Sequence, residues 1–300
     1  MKSFINALIY LLNAISLIAV LSCNHADSRV DDKTNNSLLV FCGAASKPPM
    51  DEIISEFEKQ TKIKVFVTYG GSGYLLSQIL LTHQGDVYVP GSSDFMDKAQ
   101  SLGVLIPNSE KKLVYLIPEI CVAKGNPKNI HSLRDLVKPG IKIGIGNPEQ
   151  VCVGTYAVEI IEKTFSEEEK KVLRNNIVNY AESCEKTANL ITFNIVDAVI
   201  GWDVFQYWDS SRIESIKLKK DEIIRIGYIP AGILKYSKNR MNAQRFIDFL
   251  SGSIARSIFK KYHYYSDTNE VFNYLDQEGN KIGKKPIGGV YLLPKSWTLQ

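Results

Sequence analysis

Residues 37–60 read SLLVFCGAASKPPMDEIISEFEKQ, and this stretch carries the pattern that decides the fold. Residues 38–42 form a short apolar run of the kind that makes a buried strand. After a loop of small residues, Ile53, Ile54 and Phe57 recur at helical spacing. The stretch therefore predicts one strand–loop–helix unit of an α/β fold.

The same alternation continues along the chain. Strands are predicted at 63–68, 86–89, 120–123, 142–145, 198–202 and 223–229, and helices at 74–82, 132–136, 155–165, 186–193 and 241–261. This order indicates an α/β fold of mixed, mainly parallel sheets with helices on both faces. After 264 the glycines and prolines follow no period, which predicts an irregular tail at 265–300. Its aromatic residues favour packing on the domain over the alternative, a disordered tail.

The composition fits a globular protein of one large domain or two lobes. The chain has 300 residues, 45% hydrophobic and 23% charged, with a formal net charge of +4. Such a small charge, without a basic block interleaved with aromatics, does not indicate a nucleic-acid partner. None of the four histidines lies in a small-residue loop between a strand and a helix, and no GxSxG, HExxH or P-loop pattern occurs. We therefore expect neither an enzyme nor a bound cofactor.

The N-terminus has the pattern of an export signal. Lys2 precedes an apolar run at 4–21, and Cys23 follows a small residue, as in the lipobox of bacterial lipoproteins. We predict a signal peptide at 1–22, with Cys23 as the lipid-bearing first mature residue. An uncleaved transmembrane helix is the alternative, because the run is long enough. In either case the polar residues 23–36 read as a flexible tether, and the rest lies outside the cytoplasm.

Small-residue loops between strands and helices carry the functional signal. They lie at 42–49, 69–74, 91–94, 146–155 and 182–185. At the carboxyl ends of parallel strands, free N–H groups and helix dipoles bind anions without charged side chains. Ser46, Ser72 and either Ser92 or Ser93 add hydroxyl donors. The alternative for Ser46 and Ser93 is a helix cap.

In order and spacing these loops resemble the periplasmic molybdate-binding proteins of ABC importers. The matching stretches are 40–46, 70–73, 85–89, 143–148 and 153–157, and the resemblance covers about 37–264. It implies the two-lobed type II periplasmic-binding-protein fold, with two hinge crossings. Lobe one would comprise 37–118 and 228–264, and lobe two 119–227.

The resemblance also implies the function. A monomeric binding protein would capture a tetrahedral oxyanion, molybdate or tungstate, between the lobes and deliver it to an ABC permease. The hydroxyls of Ser46 and Ser72 would hold the anion, assisted by the backbone N–H groups of Ser46, Val153 and Cys184. Ser92 is a further candidate from its own loop. A dianion leaving water needs many donors, which fixed N–H and O–H groups supply. A shell without acceptors would reject hydrogen phosphate, whose O–H would lack a partner.

This sequence departs from the family at three positions. Trp202 stands where a tyrosine normally completes the shell, and its indole N–H could donate to the anion or belong to a core aromatic. Cys152 and Cys184 flank converging loops, so we predict a disulfide that stiffens lobe two. Two buried thiols are the alternative. The carboxylates of Asp203 and Glu185 should point away from a dianion, because like charges repel.

Two other functions stay open. The first is a binding protein for another small anion, such as sulfate, a phosphorylated metabolite or a carboxylate. An arginine in the cleft would favour a carboxylate, but the motif loops contain none. The second is an adhesin or surface antigen that reuses the fold without ligand-induced stabilisation.

Overall fold

Two five-stranded sheets organise residues 36–276 and 285–298, the part of the chain that this computed structural model describes. The predicted signal peptide (1–22) and the predicted lipid-bearing Cys23 lie outside these residues. Within the described part, no helix is both long and apolar enough to cross a membrane.

In chain order the strands are β1 (Ser37–Gly43), β2 (Lys64–Gly70), β3 (Val87–Val89), β4 (Lys111–Leu116), β5 (Pro118–Ala123), β6 (Ile143–Gly146), β7 (Ile177–Ala181), β8 (Ala198–Trp202), β9 (Ile213–Ile216) and β10 (Gly227–Ile233). The helices are α1 (Lys47–Thr61), α2 (Ser72–Thr82), α3 (Ser93–Ser101), α4 (Cys152–Thr164), α5 (Glu167–Asn176), α6 (Cys184–Thr192), α7 (Phe205–Trp208), α8 (Arg240–Leu250), α9 (Ser253–Lys261) and α10 (Thr268–Asp276). Short 3₁₀ turns occupy Ala44–Ser46, Leu133–Val137 and Lys295–Trp297.

The two sheets repeat one plan. Their strand orders are β2-β1-β3-β10-β4 and β7-β6-β8-β5-β9. Four strands in each sheet point the same way, while β10 in one sheet and β5 in the other run antiparallel to both of their neighbours. The sheets are therefore mixed, with four of their five strands in one direction, as predicted for mixed, mainly parallel sheets. Each antiparallel strand enters its sheet directly from the other sheet, so it arrives in the opposite direction to a strand that follows a crossover helix.

The chain crosses between the sheets twice, which makes two lobes. The first crossing is at Ile117, between β4 and β5, and the return lies between β9 and β10. The first is pinned by Asp203, whose Oδ1 accepts from the Ile117 N–H at 3.0 Å. The Asp203 N–H in turn donates to the Ile117 carbonyl at 2.9 Å.

The predicted strand at 223–229 is displaced. The observed strand β10 begins at Gly227, and Ile223 and Ile226 precede it in irregular backbone. Ile226 donates its N–H to the Pro286 carbonyl and accepts from the Gly288 N–H, both at 2.8 Å. Ile226 thus forms a single parallel β-bridge with Ile287, and its apolar character reflects burial under the C-terminal segment. The predicted helix at 241–261 is two helices, α8 and α9.

The C-terminal segment packs on the domain, but it is not wholly irregular. Residues 268–276 form α10, which the sequence analysis missed. Val271 on this helix and Trp297 near the end of the segment are buried in the core of lobe two. The Trp297 indole donates to Glu162 Oε1 at 2.6 Å. These contacts hold the segment against α4.

A single apolar cluster spans both lobes. It includes Ala45 of lobe one and Val153, Cys184 and Trp202 of lobe two, all buried. The lobes therefore pack directly on one another, and the predicted site residues lie at their junction.

Candidate functional site

Four helices begin where parallel strands end. In lobe one, β1 leads through the turn Ala44–Ser46 into α1, and β2 leads into α2. In lobe two, β6 precedes α4 and β7 precedes α6. Prolines fill positions 48 and 49 in the first turn of α1, where no N–H is needed. The free N–H groups and positive dipole ends of these helices favour an anion.

The structure brings the two predicted serines together at Gly43. The Ser46 hydroxyl lies 3.2 Å from the Gly43 carbonyl and 3.2 Å from Cys42 Sγ. A Cβ added at Gly43 would lie 3.2 Å from Ser72 Oγ. Ser72 Oγ accepts the Gly91 N–H at 3.0 Å, which leaves the serine's own hydrogen for another acceptor. Both hydroxyls are buried and adjoin the same glycine.

Lobe two closes directly over these loops. The Gly73 N–H donates to the Gln150 carbonyl at 2.8 Å. A Cβ added at Gly71 would lie 2.5 Å from the Glu182 carbonyl, and one at Gly91 would lie 2.5 Å from Cys152 Sγ. The missing side chains of these glycines therefore let the lobes approach to backbone contact.

The predicted lobe-two residues Val153 and Cys184 lie at the start of α4 and α6. Cys184 Sγ is 3.3 Å from Cys152 Sγ, and both residues are free thiols. A disulfide would need a separation of about 2.05 Å, so the pairing stays a prediction. Burial raises the pKa of the Cys184 thiol well above its ordinary value, while the Val153 N–H acts to lower it. The sulfur thus lies against an N–H group predicted for the anion.

Trp202 ends β8 at the base of this junction. It is fully buried, and its Nε1 has no hydrogen-bond partner in well-formed geometry among the described residues. The indole is nevertheless near enough to Cys184 to lower the pKa of that thiol. Its ring packs edge-on against Tyr156, with centroids 4.8 Å apart. This buried donor beside the two thiols is in place to meet a ligand at the junction.

The structure gives Ser92 a different partner from the one predicted. Its hydroxyl donates to Asp94 Oδ2 at 3.0 Å. Asp94 in turn holds the buried guanidinium of Arg225. The geometry therefore assigns Ser92 to an ion cluster and not to the pair of serines at Gly43.

That ion cluster joins both lobes and was missed by the sequence analysis. Arg225 bonds Asp94 of lobe one through two nitrogens, at 2.9 and 3.0 Å, and Glu159 of lobe two at 2.5 Å. Its guanidinium also donates to the Gly289 carbonyl at 2.8 Å and lies 3.9 Å over the Tyr156 ring. The one available signal was an arginine inside the apolar run at 223–229. Since its nitrogens are already paired, Arg225 does not serve as a carboxylate receptor.

The two carboxylates predicted to avoid the anion each have another partner. Glu185 Oε1 lies 3.4 Å from Lys47 Nζ, a salt bridge between the lobes that is partly open to solvent. Asp203 accepts from Ile117 at the first crossing. Burial, followed by the neighbouring Glu119 carboxyl, raises the pKa of Asp203 well above its ordinary value.

A cavity of about 570 Å³ opens beside the junction, between the lobes. Its walls include Gly70, Gly71, Tyr69, Tyr74, Asn147, Gln150 and Ser183. Among the described residues, no three His, Cys, Asp or Glu side chains are grouped to hold a metal cation. Glu182, Glu185 and Lys186 also line the cavity, whereas the groups around Ser46, Ser72 and the two cysteines are neutral N–H, O–H and S–H donors.

Two mixed α/β lobes, joined by two crossings and meeting at the N-termini of four helices, define a solute-binding protein of the two-lobed type. The chain belongs to the family of bacterial extracellular solute-binding proteins, whose family model matches residues 38–265. This is a substrate-binding family of transport systems and not an enzyme family.

Relatives in several bacteria are similar over most of their length. A candidate binding protein of Haemophilus influenzae is 27% identical over 71% of this chain and 84% of its own. YvgL, a candidate ABC transporter substrate-binding lipoprotein of Bacillus subtilis, is 25% identical over 85% and 96%. The molybdate-binding protein ModA of Escherichia coli is 24% identical over 75% and 87%. The resemblance to molybdate-binding proteins is thereby confirmed.

Solved structures share the fold. The periplasmic molybdate-binding protein of Azotobacter vinelandii has a TM-score of 0.66 at 17% identity, covering 77% of this chain and 100% of its own. The sulfate-binding protein SubI of Mycobacterium tuberculosis has a TM-score of 0.69 at 14% identity, covering 84% and 94%. AfuA of Actinobacillus pleuropneumoniae, solved with fructose-6-phosphate, has a TM-score of 0.65 at 20% identity, covering 78% and 86%. The predicted type II fold is confirmed.

Proposed function

We propose that this protein captures a tetrahedral oxyanion, molybdate or tungstate, between its lobes and delivers it to an ABC permease. The observation that carries the proposal is the convergence of the Ser46 and Ser72 hydroxyls on Gly43. They lie at the N-termini of α1 and α2 and face the starts of helices from the other lobe. The names of the ModA relatives support the same ligand class.

Neutral donors suit such an ion. Each N–H or O–H bond to a charged oxygen is stronger than a bond between neutral groups. The donors would be the two hydroxyls, the N–H groups of Val153 and Cys184, and the Trp202 indole, whose Nε1 has no other partner in good geometry. On binding, the Ser46 hydrogen would turn from the Gly43 carbonyl toward the anion. Closure around the ion would present one lobe arrangement to the permease.

The test is a thermal-shift screen of the purified protein against molybdate, tungstate, sulfate, phosphate and citrate. Molybdate or tungstate should raise the melting temperature more than the other anions, since a ligand of the folded state stabilises it. Ser46→Ala and Ser72→Ala should each abolish the shift. Ser77→Ala is the matched control, because the Ser77 hydroxyl bonds the Gly73 carbonyl within α2. A shift that survives both substitutions at the junction would refute the proposal.

A second candidate is a phosphorylated organic ligand. The cavity of about 570 Å³ beside Gly70 and Gly71 is far larger than a bare oxyanion needs. Tyr69, Tyr74, Asn147 and Gln150 offer ring faces and amides that suit a polyol. A shift with fructose 6-phosphate that Tyr69→Ala removes, without any response to molybdate, would favour this candidate.

We also propose that Cys23 carries a lipid anchor and that the domain works as a monomer outside the cytoplasm. The name of the YvgL relative supports anchoring. In bacterial cells the protein should fractionate with membranes, and Cys23→Ala should release it. Retention of that variant in the membrane would favour an uncleaved helix. Size-exclusion chromatography of the released protein tests for the monomer.

A further inference from the structure

Two cysteines meet at the centre of the lobe junction. Cys152 and Cys184 are the first residues of α4 and α6, and their sulfurs are 3.3 Å apart. Both side chains are buried, at 1% and 2% exposure. Two thiols in contact can be joined by a modest movement, because a disulfide sets the sulfurs about 2.05 Å apart.

The same sulfurs touch the groups of the proposed anion site. Cys152 Sγ packs against Gly91, whose N–H bonds Ser72 Oγ. Cys184 Sγ lies against the Val153 N–H and near the Trp202 indole. A chemical change at Cys152 would therefore act on the Ser72 hydroxyl through Gly91. A change at Cys184 would act on the Val153 N–H and the Trp202 indole.

We propose that Cys152 and Cys184 form a redox-active pair, and that its oxidation to a disulfide weakens anion capture. The formation of the bond is independent of the proposed function. Its effect on the ligand rests on that function.

The reaction balances with a disulfide as oxidant, such as glutathione disulfide or the oxidised site of a thiol oxidoreductase. The thiolate of one cysteine attacks the oxidant and releases one of its thiols, which leaves a mixed disulfide. The second cysteine then attacks the protein sulfur of that intermediate and releases the other thiol. The protein loses two hydrogens, and the oxidant gains them.

Access to the pair depends on the lobes. In the closed arrangement both sulfurs are buried, and burial raises the pKa of Cys184, which keeps the thiol protonated and unreactive. Separation of the lobes would uncover the sulfurs, since Cys152 is covered by Gly91 of lobe one. A ligand that holds the lobes together should therefore slow oxidation.

The direction of the effect follows from donor chemistry. A thiol can turn its S–H toward an anion, as a weak donor. A disulfide has no hydrogen and presents only sulfur lone pairs. Since the two thiols contact each other, at most one S–H is free to turn toward the anion. Oxidation removes that S–H and leaves electron-rich sulfur beside the dianion, so affinity falls.

The experiment compares the reduced protein with protein treated with glutathione disulfide. Intact mass should fall by about 2 Da, and peptide mapping should recover a cross-link between residues 152 and 184. Calorimetry should then show that the oxidised form binds molybdate at least about tenfold more weakly. Cys152→Ser should lose both responses to the oxidant. Cys121→Ser should keep both, because Cys121 lies on β5 with its sulfur near Ser215.

The outcomes separate the claims. Absence of the cross-link, with both lobes free to open, overturns the redox pair. A cross-link with unchanged molybdate affinity overturns the coupling. If neither form binds molybdate or tungstate, the proposed function fails and the coupling fails with it, while the mass measurement still decides the cross-link.

Discussion

The carboxylate of Asp94 faces the guanidinium of Arg225 through two parallel hydrogen bonds, with Oδ1–Nη2 at 2.9 Å and Oδ2–Nη1 at 3.0 Å. Asp94 belongs to lobe one, and Arg225 also bonds Glu159 of lobe two. The Tyr291 N–H completes the cluster by donating to Asp94 Oδ1 at 2.9 Å. One buried cation thus joins both lobes and the C-terminal segment.

The first prediction concerns this cation. Arg225→Met should destabilise the protein by about 3–5 kcal/mol, because it leaves buried Asp94 without its counter-charge and buried Glu159 with Lys163 alone. Urea unfolding measures the loss. Arg134→Met is the control, since Arg134 and its partner Glu169 are partly exposed, and it should cause little change. Equal effects of the two variants would contradict a structural role for the cluster.

The second prediction concerns the C-terminal segment. Gly288 has a φ of +66°, and an added Cβ would lie 2.2 Å from the Tyr228 ring. Gly103 has a φ of +63°, with nothing within 4 Å of an added Cβ. Gly288→Ala should therefore cost about 1–3 kcal/mol more than Gly103→Ala, because only the first adds overlap to backbone strain.

Chemical unfolding gives the difference between these two variants. Hydrogen exchange should also rise at 285–298 in Gly288→Ala alone. Unchanged protection of that segment would show that it tolerates the overlap by a local shift.

The third prediction separates Ser92 from the site. Ser92→Ala should lower stability by about 1 kcal/mol, since a buried bond to Asp94 is lost. The shift in melting temperature produced by molybdate should remain, whereas Ser72→Ala should remove it. If Ser92→Ala also removes the shift, the ion cluster and the anion site are one unit.

The fourth prediction concerns the unpaired indole. Trp202→Phe should weaken molybdate binding by about tenfold or more, because a donor to a charged ligand contributes about 1.5–3 kcal/mol. Trp208→Phe is the control. Trp208 also has a buried Nε1 without a partner in good geometry among the described residues, but its ring packs at a tilt against Phe205 in α7. Calorimetry measures the molybdate affinity of both variants. An equal loss of affinity in the two would show that Trp202 only packs in the core.

The fifth prediction follows from the raised pKa of Asp203. The folded protein holds a proton that the unfolded chain releases above about pH 4, so stability should fall as pH rises from there toward the folded-state pKa. One such proton changes the unfolding free energy by about 1.4 kcal/mol per pH unit. Asp203→Asn should flatten this dependence in urea unfolding between pH 5 and pH 8. A slope unchanged by the substitution would place the proton elsewhere.

Much of the fold was predictable because the spacing of apolar residues along the chain distinguishes strands from helices locally. The run at 38–42 and the spacing of Ile53, Ile54 and Phe57 are decided by neighbours in the chain. Strands β4, β7 and β9 and helices α5 and α10 were not predicted, because a short apolar stretch does not by itself distinguish a strand or helix from a loop, and its burial depends on distant partners. The position predicted for the strand at 223–229 was wrong because the burial of Ile226 comes from the distant C-terminal segment.

The sequence by itself determined the strand–loop–helix units, and with them the placing of Ser46 and Ser72 at helix N-termini. Only the tertiary structure decided that both hydroxyls adjoin Gly43, that the sulfurs of Cys152 and Cys184 are in contact, and that the Ser92 hydroxyl donates to Asp94. The physical reason is range. Helix starts and glycine turns depend on adjacent backbone, whereas the contacts of Arg225 join residues 66 and 131 positions apart in the chain, which only the packing of two lobes can bring together.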